Sequence, residues 1–250
     1  MDARAPATPI PGYSRARLKR IIATGNIAAF AIALWTIFLP TGFYAPALVL
    51  CILLPLWGFV LDMRARGALG FEAQRRRHPL SLAAILLAPA LALSARAGID
   101  LNFESYPPLI AAAALAASAM FAVFWRFDPQ FRGDVNQCAT VAIFAVVYSY
   151  GVLAFADVVL DPSLGRDTRT VIDQKRIHVS GGPKGSSVWY QVKVDPEASP
   201  AGANWIHVQP DLWESLQRGD TVCVHVGAGL LAVPWYAVGR CGDWPAPARR

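Results

Sequence analysis

Charged residues are scarce in this chain, and long parts of it have none. Only 16% of its 250 residues are charged and 55% are hydrophobic, a balance outside that of soluble globular proteins. No Asp, Glu, Lys or Arg occurs over residues 21–61, and three further charge-free runs cover 79–95, 105–125 and 135–156. Because a bilayer core needs about 20 apolar residues per helix, these runs predict five transmembrane helices, two of them in the first run.

Ionisable side chains are missing from the middle of every predicted span. Transporters and proton pumps usually need such groups for ion coupling, so their absence argues against both activities. Asp62 and Asp157 fall at predicted helix ends, where we expect water to reach them. The first helix is interpreted as an uncleaved signal anchor, because its apolar run is too long for a signal peptide.

Basic residues are distributed unequally among the loops. Five lie in the N-terminal tail, five in the second loop and two in the fourth, whereas the first and third loops contribute only Arg96. Lys and Arg in short loops stay in the cytoplasm, which predicts a cytoplasmic N-terminus in a bacterial inner membrane. Five helices then place the C-terminal residues in the periplasm. The predicted domains are a basic tail (1–20), a transmembrane domain (21–160) and a periplasmic β domain (161–250).

Composition also indicates which partners to expect. Residues 161–250 carry ten basic and nine acidic side chains and no nucleic-acid motif, so the basic loops are better explained by lipid headgroups than by nucleic acid. The fourth helix contains an alanine-rich run over 111–119. Small side chains let helix backbones approach closely, and this run predicts the centre of a bundle or a homo-oligomer contact.

The hydropathy pattern of the sequence changes near Thr168, where short alternating segments separated by Gly and Pro predict β-strands. Five strands and one short helix in about 80 residues predict an OB-like, partly open β-barrel or a strongly twisted sheet. Five tryptophans are expected to supply much of its core. The strands are predicted at 170–180, 187–194, 204–209, 221–226 and 234–240, the helix at 212–216, and the tryptophans are Trp189, Trp205, Trp213, Trp235 and Trp244.

Two of the four cysteines lie on the arms of a predicted hairpin. Reflection about a midpoint near Leu231 places Cys223 opposite Arg240 or Cys241, and cross-strand distances permit a disulfide. A periplasmic location would preserve it, so a Cys223–Cys241 disulfide is predicted. The other two cysteines are interpreted as buried or reduced thiols, Cys51 and Cys138.

Three histidines share one setting, a β-branched residue on either side within a predicted strand. They are His178, His207 and His225. Since strand side chains alternate between faces, the three imidazoles would share a surface if their strands were adjacent, and would then bind zinc or copper. The competing interpretation is that these are polar residues on the outer face of a sheet. No cofactor is otherwise predicted, and no catalytic triad or carboxylate pair is evident.

The segment from Leu216 to Tyr236, with Gly-Asp opening a strand, a glycine turn and Pro-Trp-Tyr closing the hairpin, resembles uncharacterised bacterial multi-pass membrane proteins. The overall plan resembles NfeD-like proteins, which implies a small OB-type barrel and a role in membrane-protein quality control. Neither resemblance implies catalytic residues. We therefore expect a non-enzymatic scaffold or partner-binding protein, with a metal-binding or metal-sensing envelope protein and a transporter accessory subunit as alternatives.

Overall fold

The computed structural model describes residues 15–38, 44–65, 81–127, 135–163, 165–182, 185–195 and 205–241. The predicted turn at 40–42 and Trp244 lie outside these residues. The chain divides into two compact units. The first comprises residues 1–97 and 110–153, and the second comprises 98–109 and 154–250.

Among the residues that the structure describes, five helices are long and apolar enough to cross a membrane, which agrees with the predicted number of spans. The chain is a multi-pass membrane protein. The helices are α1 (Arg15–Phe38), α2 (Tyr44–Ala65), α3 (Ala83–Asp100), α4 (Pro107–Phe127) and α5 (Val135–Val159).

Polar side chains join the helices of the first unit. The Asn26 side chain donates to the Ser81 carbonyl at 2.8 Å and accepts from the Ile85 amide at 3.1 Å, so α1 satisfies an otherwise unpaired amide in the first turn of α3. Tyr148 Oη of α5 donates to the Ile52 carbonyl of α2 at 2.7 Å. Hydroxyls and amides therefore connect helices across an apolar core, as hydrogen bonds do in membrane bundles.

The described residues of the second unit form two antiparallel sheets rather than a closed barrel. One has the strand order β1-β7-β6-β2 and the other β3-β4-β5. The short helix α6 (Pro210–Ser215) lies between β5 and β6 in the chain. The strands are β1 (Asn102–Phe103), β2 (Arg166–Val171), β3 (Gln174–Gly182), β4 (Gly185–Lys193), β5 (Trp205–His207), β6 (Thr221–Gly227) and β7 (Trp235–Arg240).

Both sheets contribute to one apolar core. Val192 of β4 and Ile206 of β5 pack in the same cluster as Val222 and Val224 of β6. The first predicted strand is in fact two, because the chain changes sheets after β2. At this crossing the amide of the fully buried Ile172 donates to the Asp220 carbonyl. The inward positions change parity at this crossing: Thr170 and Ile172 are buried before it, whereas after it Lys175 and Ile177 lie opposite Val192 and Tyr190 of the core cluster. No Gly or Pro marks the boundary, and this is why the sequence predicts a single strand.

The loop between α3 and α4 also enters the second unit. Its β1 pairs with β7, with Asn102 opposite Tyr236 and Phe103 opposite Trp235. Two residues are too few to show alternation, so the sequence predicts no strand there. The pairing requires this loop and the C-terminal strands to lie on the same side of the membrane, as five spans demand.

Carboxylates near the end of α5 hold the turn between β6 and β7. Asp157 Oδ1 accepts from the Leu231 amide at 2.6 Å. Asp161 Oδ2 accepts from the Gly229 amide at 2.9 Å and from Trp235 Nε1 at 2.8 Å. We call these five residues the aspartate clasp. Its Asp157 is completely buried within the chain, so the expectation of a water-accessible carboxylate at this helix end is wrong.

The aspartate clasp lowers the pKa of the Asp161 carboxyl group. Partial burial by itself would raise the pKa of Asp161. Hydrogen bonds from the Ser163 amide and hydroxyl, the Gly229 amide and the Trp235 indole outweigh burial and lower the pKa below its ordinary value. The ionised carboxylate is thus the form that the clasp stabilises.

Candidate functional site

The sheet β3-β4-β5 turns one face towards the core and shows aromatic and polar residues on the other. Arg176 of β3 lies opposite Gln191 of β4, which lies opposite His207 of β5. Trp189 is two residues before Gln191, and Trp205 two residues before His207, so all five side chains share a face. We call these five residues the aromatic face.

Ring and cation contacts link the members of the aromatic face. The rings of Trp189 and His207 meet edge to face with centroids 5.2 Å apart. The guanidinium carbon of Arg176 lies 3.9 Å from the ring centroid of Trp205, and Arg176 Nε donates to Gln191 Oε1 at 2.8 Å. These contacts form two groups, one around Arg176 and one of Trp189 and His207. The register places the groups side by side, because Gln191 lies opposite His207.

Two neighbouring charges compensate each other. Lys193 Nζ lies 2.7 Å from Asp173 Oδ2, and the hydrogen bond from Lys193 lowers the pKa of Asp173. Burial lowers the pKa of His207, so this imidazole is neutral at pH 7. Among the described members of the aromatic face, Arg176 therefore carries the positive charge.

The three predicted metal ligands do not all meet. His178 and His207 lie on the same face of one sheet, opposite Trp189 and Gln191 respectively. His225 lies in the other sheet, opposite Ala237, with its Nδ1 2.6 Å from Asp167 Oδ1. In the part of the chain that the structure describes, no group of three or more His, Cys, Asp or Glu residues has the geometry of a metal site.

The structure contains the predicted disulfide. Cys223 and Cys241 are joined with their Cα atoms 4.9 Å apart. Cys223 lies opposite Gly239, and Arg240 opposite Val222, so the hairpin register differs from the reflected one by one or two residues. The bond therefore runs diagonally and fastens the chain just beyond the end of β7.

A cavity of about 330 Å³ adjoins the aromatic face at His207. It is lined by the loop after α3, by β7 and by the start of α6, and its polar lining includes Asp100, Asn102 and Tyr236. Burial, together with the nearby Tyr106, raises the pKa of Tyr236, so its phenol stays protonated at neutral pH. The cavity therefore offers a neutral phenol and a neutral imidazole beside one carboxyl group.

Neither Arg176 nor the exposed position of Trp189 is among the features predicted from the sequence. We expected the tryptophans to fill the core, whereas Trp189 is 36% exposed on the opposite face. Alternation gives a signal for this position, because Val188, Tyr190 and Val192 point to one face of the strand and Trp189 points to the other. Arg176 has no comparable signal, since its contacts depend on the pairing of three strands.

The aromatic face has the composition of a binding surface. Exposed Trp and Arg residues are enriched where proteins bind partners. A fixed guanidinium beside an indole recognises charge and apolar surface together. No family model, curated protein or solved structure matches the chain.

Proposed function

We propose that this chain is a bacterial inner-membrane protein that presents its β domain to the periplasm and binds a protein partner there. Its N-terminus lies in the cytoplasm, and its role is non-enzymatic, as a scaffold or partner-binding protein. The observation that carries the proposal is the aromatic face, in which Trp189 and Arg176 are exposed on a sheet surface turned away from the core.

The distribution of basic residues and the disulfide support this orientation. Twelve Lys and Arg residues in the N-terminal tail and the second and fourth loops favour a cytoplasmic location for those segments. The Cys223–Cys241 bond would persist in an oxidising compartment such as the periplasm. Both observations favour the same side for the β domain.

Exposed apolar residues near the aromatic face support partner binding. Ile177, Val179 and Val188 are 49%, 56% and 49% exposed. They lie on the other face of the same β3-β4 hairpin, so the hairpin presents apolar surface on both sides. Adjoining exposed apolar residues are typical of protein interaction sites.

Cysteine labelling tests the orientation. In a variant with Cys51 and Cys138 replaced by serine, Cys223 and Cys241 remain as the only cysteines of the sequence. We expect a membrane-impermeant maleimide to label intact spheroplasts only after treatment with reductant. Labelling that requires disruption of the membrane would place the β domain in the cytoplasm and overturn the proposal.

Site-specific photocrosslinking tests partner binding. A benzophenone amino acid at His178, which is exposed opposite Trp189, should give a light-dependent adduct in intact cells. The same amino acid at the exposed Asp211 of α6 is the matched control and should give none. Absence of an adduct at position 178, or the same adduct at both positions, would contradict binding through the aromatic face.

A further inference from the structure

The side chain of Arg176 is fixed although it lies on the surface. Its guanidinium stacks on Trp205 at 3.9 Å, and its Nε is held by Gln191 at 2.8 Å. Within the described residues, the two terminal nitrogens have no hydrogen-bond acceptor. The group is therefore held in one plane while the donors at its outer end remain available to a ligand.

This arrangement suits an anion with two oxygens. The planar guanidinium matches the geometry of a carboxylate and forms two parallel hydrogen bonds with it. An exposed arginine normally loses much rotamer freedom when it binds. Stacking on Trp205 and the bond to Gln191 have already restricted Arg176, so less freedom remains to be lost.

The surrounding charges favour a ligand with a single negative charge. The nearby Lys193 is paired with Asp173 at 2.7 Å, which leaves Arg176 as the uncompensated cation among the described residues of this face. A carboxylate carries one charge, whereas a phosphate monoester carries about two at neutral pH. Charge complementarity therefore favours the carboxylate.

Trp189 supplies apolar surface on the same sheet face as Arg176. It is the diagonal cross-strand neighbour of Arg176, because Gln191 lies opposite Arg176, and the backbone positions of such neighbours are about 7–8 Å apart. The Trp189 side chain is 36% exposed. A ligand with an apolar or aromatic group next to its carboxylate would contact both residues.

We propose that Arg176 and Trp189 form a receptor for a carboxylate that lies beside an apolar or aromatic group. The occupant is an acidic peptide segment of the protein partner, with its carboxylate on Arg176 and an adjacent apolar side chain on Trp189. This inference rests on the proposed function and adds the chemistry that the partner must present.

The test uses the purified full-length chain in detergent and two probes of the same shape. N-acetyl-phenylalanine carries a carboxylate beside a phenyl group, and N-acetyl-phenylalaninamide replaces the carboxylate by a neutral amide. In a calorimetric titration we expect the acid to bind about tenfold more tightly than the amide. Equal binding of the two probes would overturn the proposal.

Substitutions locate the contact. Arg176→Gln should weaken binding of the acid about tenfold, and Arg176→Lys several-fold, because an ammonium lacks the planar fork. Arg218→Gln is the matched control, since Arg218 is an exposed arginine whose Nη2 lies 3.6 Å from Asp173. A loss of binding in Arg218→Gln equal to that in Arg176→Gln would refute the assignment. Arg176→Lys keeps the positive charge but lacks the planar guanidinium. Residual binding by this variant therefore distinguishes loss of the guanidinium geometry from loss of folding.

Phenyl phosphate distinguishes carboxylate from phosphate recognition. Tighter binding of phenyl phosphate than of the acid, if abolished by Arg176→Gln, would overturn the assignment to a carboxylate. Failure here is distinguishable from failure of the proposed function. An adduct at His178 without binding of the acid would overturn only the proposal that Arg176 recognises a carboxylate. Binding of the acid without an adduct would overturn only the proposal that a protein partner binds the aromatic face.

Discussion

The aspartate clasp gives the sharpest prediction about stability, because three N–H donors converge on one carboxylate. Asp161 Oδ1 accepts from the Ser163 amide at 2.8 Å, and Oδ2 accepts from Gly229 and Trp235. Asp161→Ala leaves all three donors without their acceptor. Asp161→Asn keeps one oxygen but turns an amide group towards at least one donor. We therefore expect the alanine variant to be the less stable of the two.

The size of the effect follows from the hydrogen bonds. Bonds to a charged group contribute about 1.5–3 kcal/mol each, and water can replace part of this because Asp161 is only partly buried. We expect a loss of about 3 kcal/mol for Asp161→Ala and about 2 kcal/mol for Asp161→Asn. With a urea dependence of about 1.5 kcal/mol per molar, the alanine variant should unfold about 2 M earlier.

Pulse proteolysis of the full-length chain in detergent measures this midpoint. Cleavage of the β domain at increasing urea concentration converts the intact band to a fragment that contains the helices. Asp211→Asn is the matched control, because Asp211 is an exposed carboxylate in the first turn of α6 and should change the midpoint only slightly. Unchanged midpoints in both Asp161 variants, or an equal loss in the control, would refute the role of the clasp.

The contribution of Asp161 also depends on pH. Its pKa is lower in the folded chain than its ordinary value, so the stabilisation is fully present above the unfolded pKa, near 3.9. Stabilisation is lost as the pH falls through the folded pKa. The difference in urea midpoint between wild type and Asp161→Asn should therefore narrow below about pH 4, as followed by tryptophan fluorescence. A constant difference would contradict the ionised clasp.

Three further predictions concern the β domain. Reduction of the Cys223–Cys241 bond, which spans 18 residues, should destabilise the domain by about 3 kcal/mol in the same proteolysis assay, and an unchanged midpoint would contradict its role as a staple. Gly229→Ala should destabilise more than Gly219→Ala: both glycines have positive φ, but a Cβ at Gly229 meets Asp157 and Val233, whereas one at Gly219 meets nothing. Equal urea midpoints would refute that contact. Because burial lowers the pKa of His207, the pH-dependent fluorescence of Trp189 should titrate below pH 6.5 and disappear in His207→Gln. A midpoint above that value would show that burial does not control the imidazole.

The membrane part could be predicted from the sequence because one physical requirement determines it. A helix in a bilayer must avoid charge in its central part, and each charge-free run overlaps one candidate span or, in the first run, two. Pro40 and Gly42 gave the boundary within the first run, although the turn lies outside the described residues. The requirement applies to each segment separately, so no knowledge of tertiary contacts is needed.

The sheets could be predicted only in part, because the local alternation of residues does not determine which distant strands pair. Alternation identifies β4 and β6, whose inward residues are apolar. It does not show that the chain changes sheets at Ile172, since no Gly or Pro separates the two strands. Nor does it show that Asp157 meets the turn at Leu231, 74 residues later. The disulfide was predicted because both cysteines lie on one hairpin, where register is a local property.

The second unit depends on residues far from the C-terminal segment. A fragment starting at residue 161 would lack β1, which pairs with Trp235 and Tyr236. It would also lack Asp157, whose main-chain and side-chain oxygens accept the amides of Leu230 and Leu231. Without these groups β7 loses a paired neighbour, and two amides of the β6-β7 turn lose their acceptors, each loss costing about 1–3 kcal/mol if buried. Experiments on the aromatic face therefore require the full chain, because binding lost in a shorter fragment would report unfolding of the domain rather than the chemistry of Arg176.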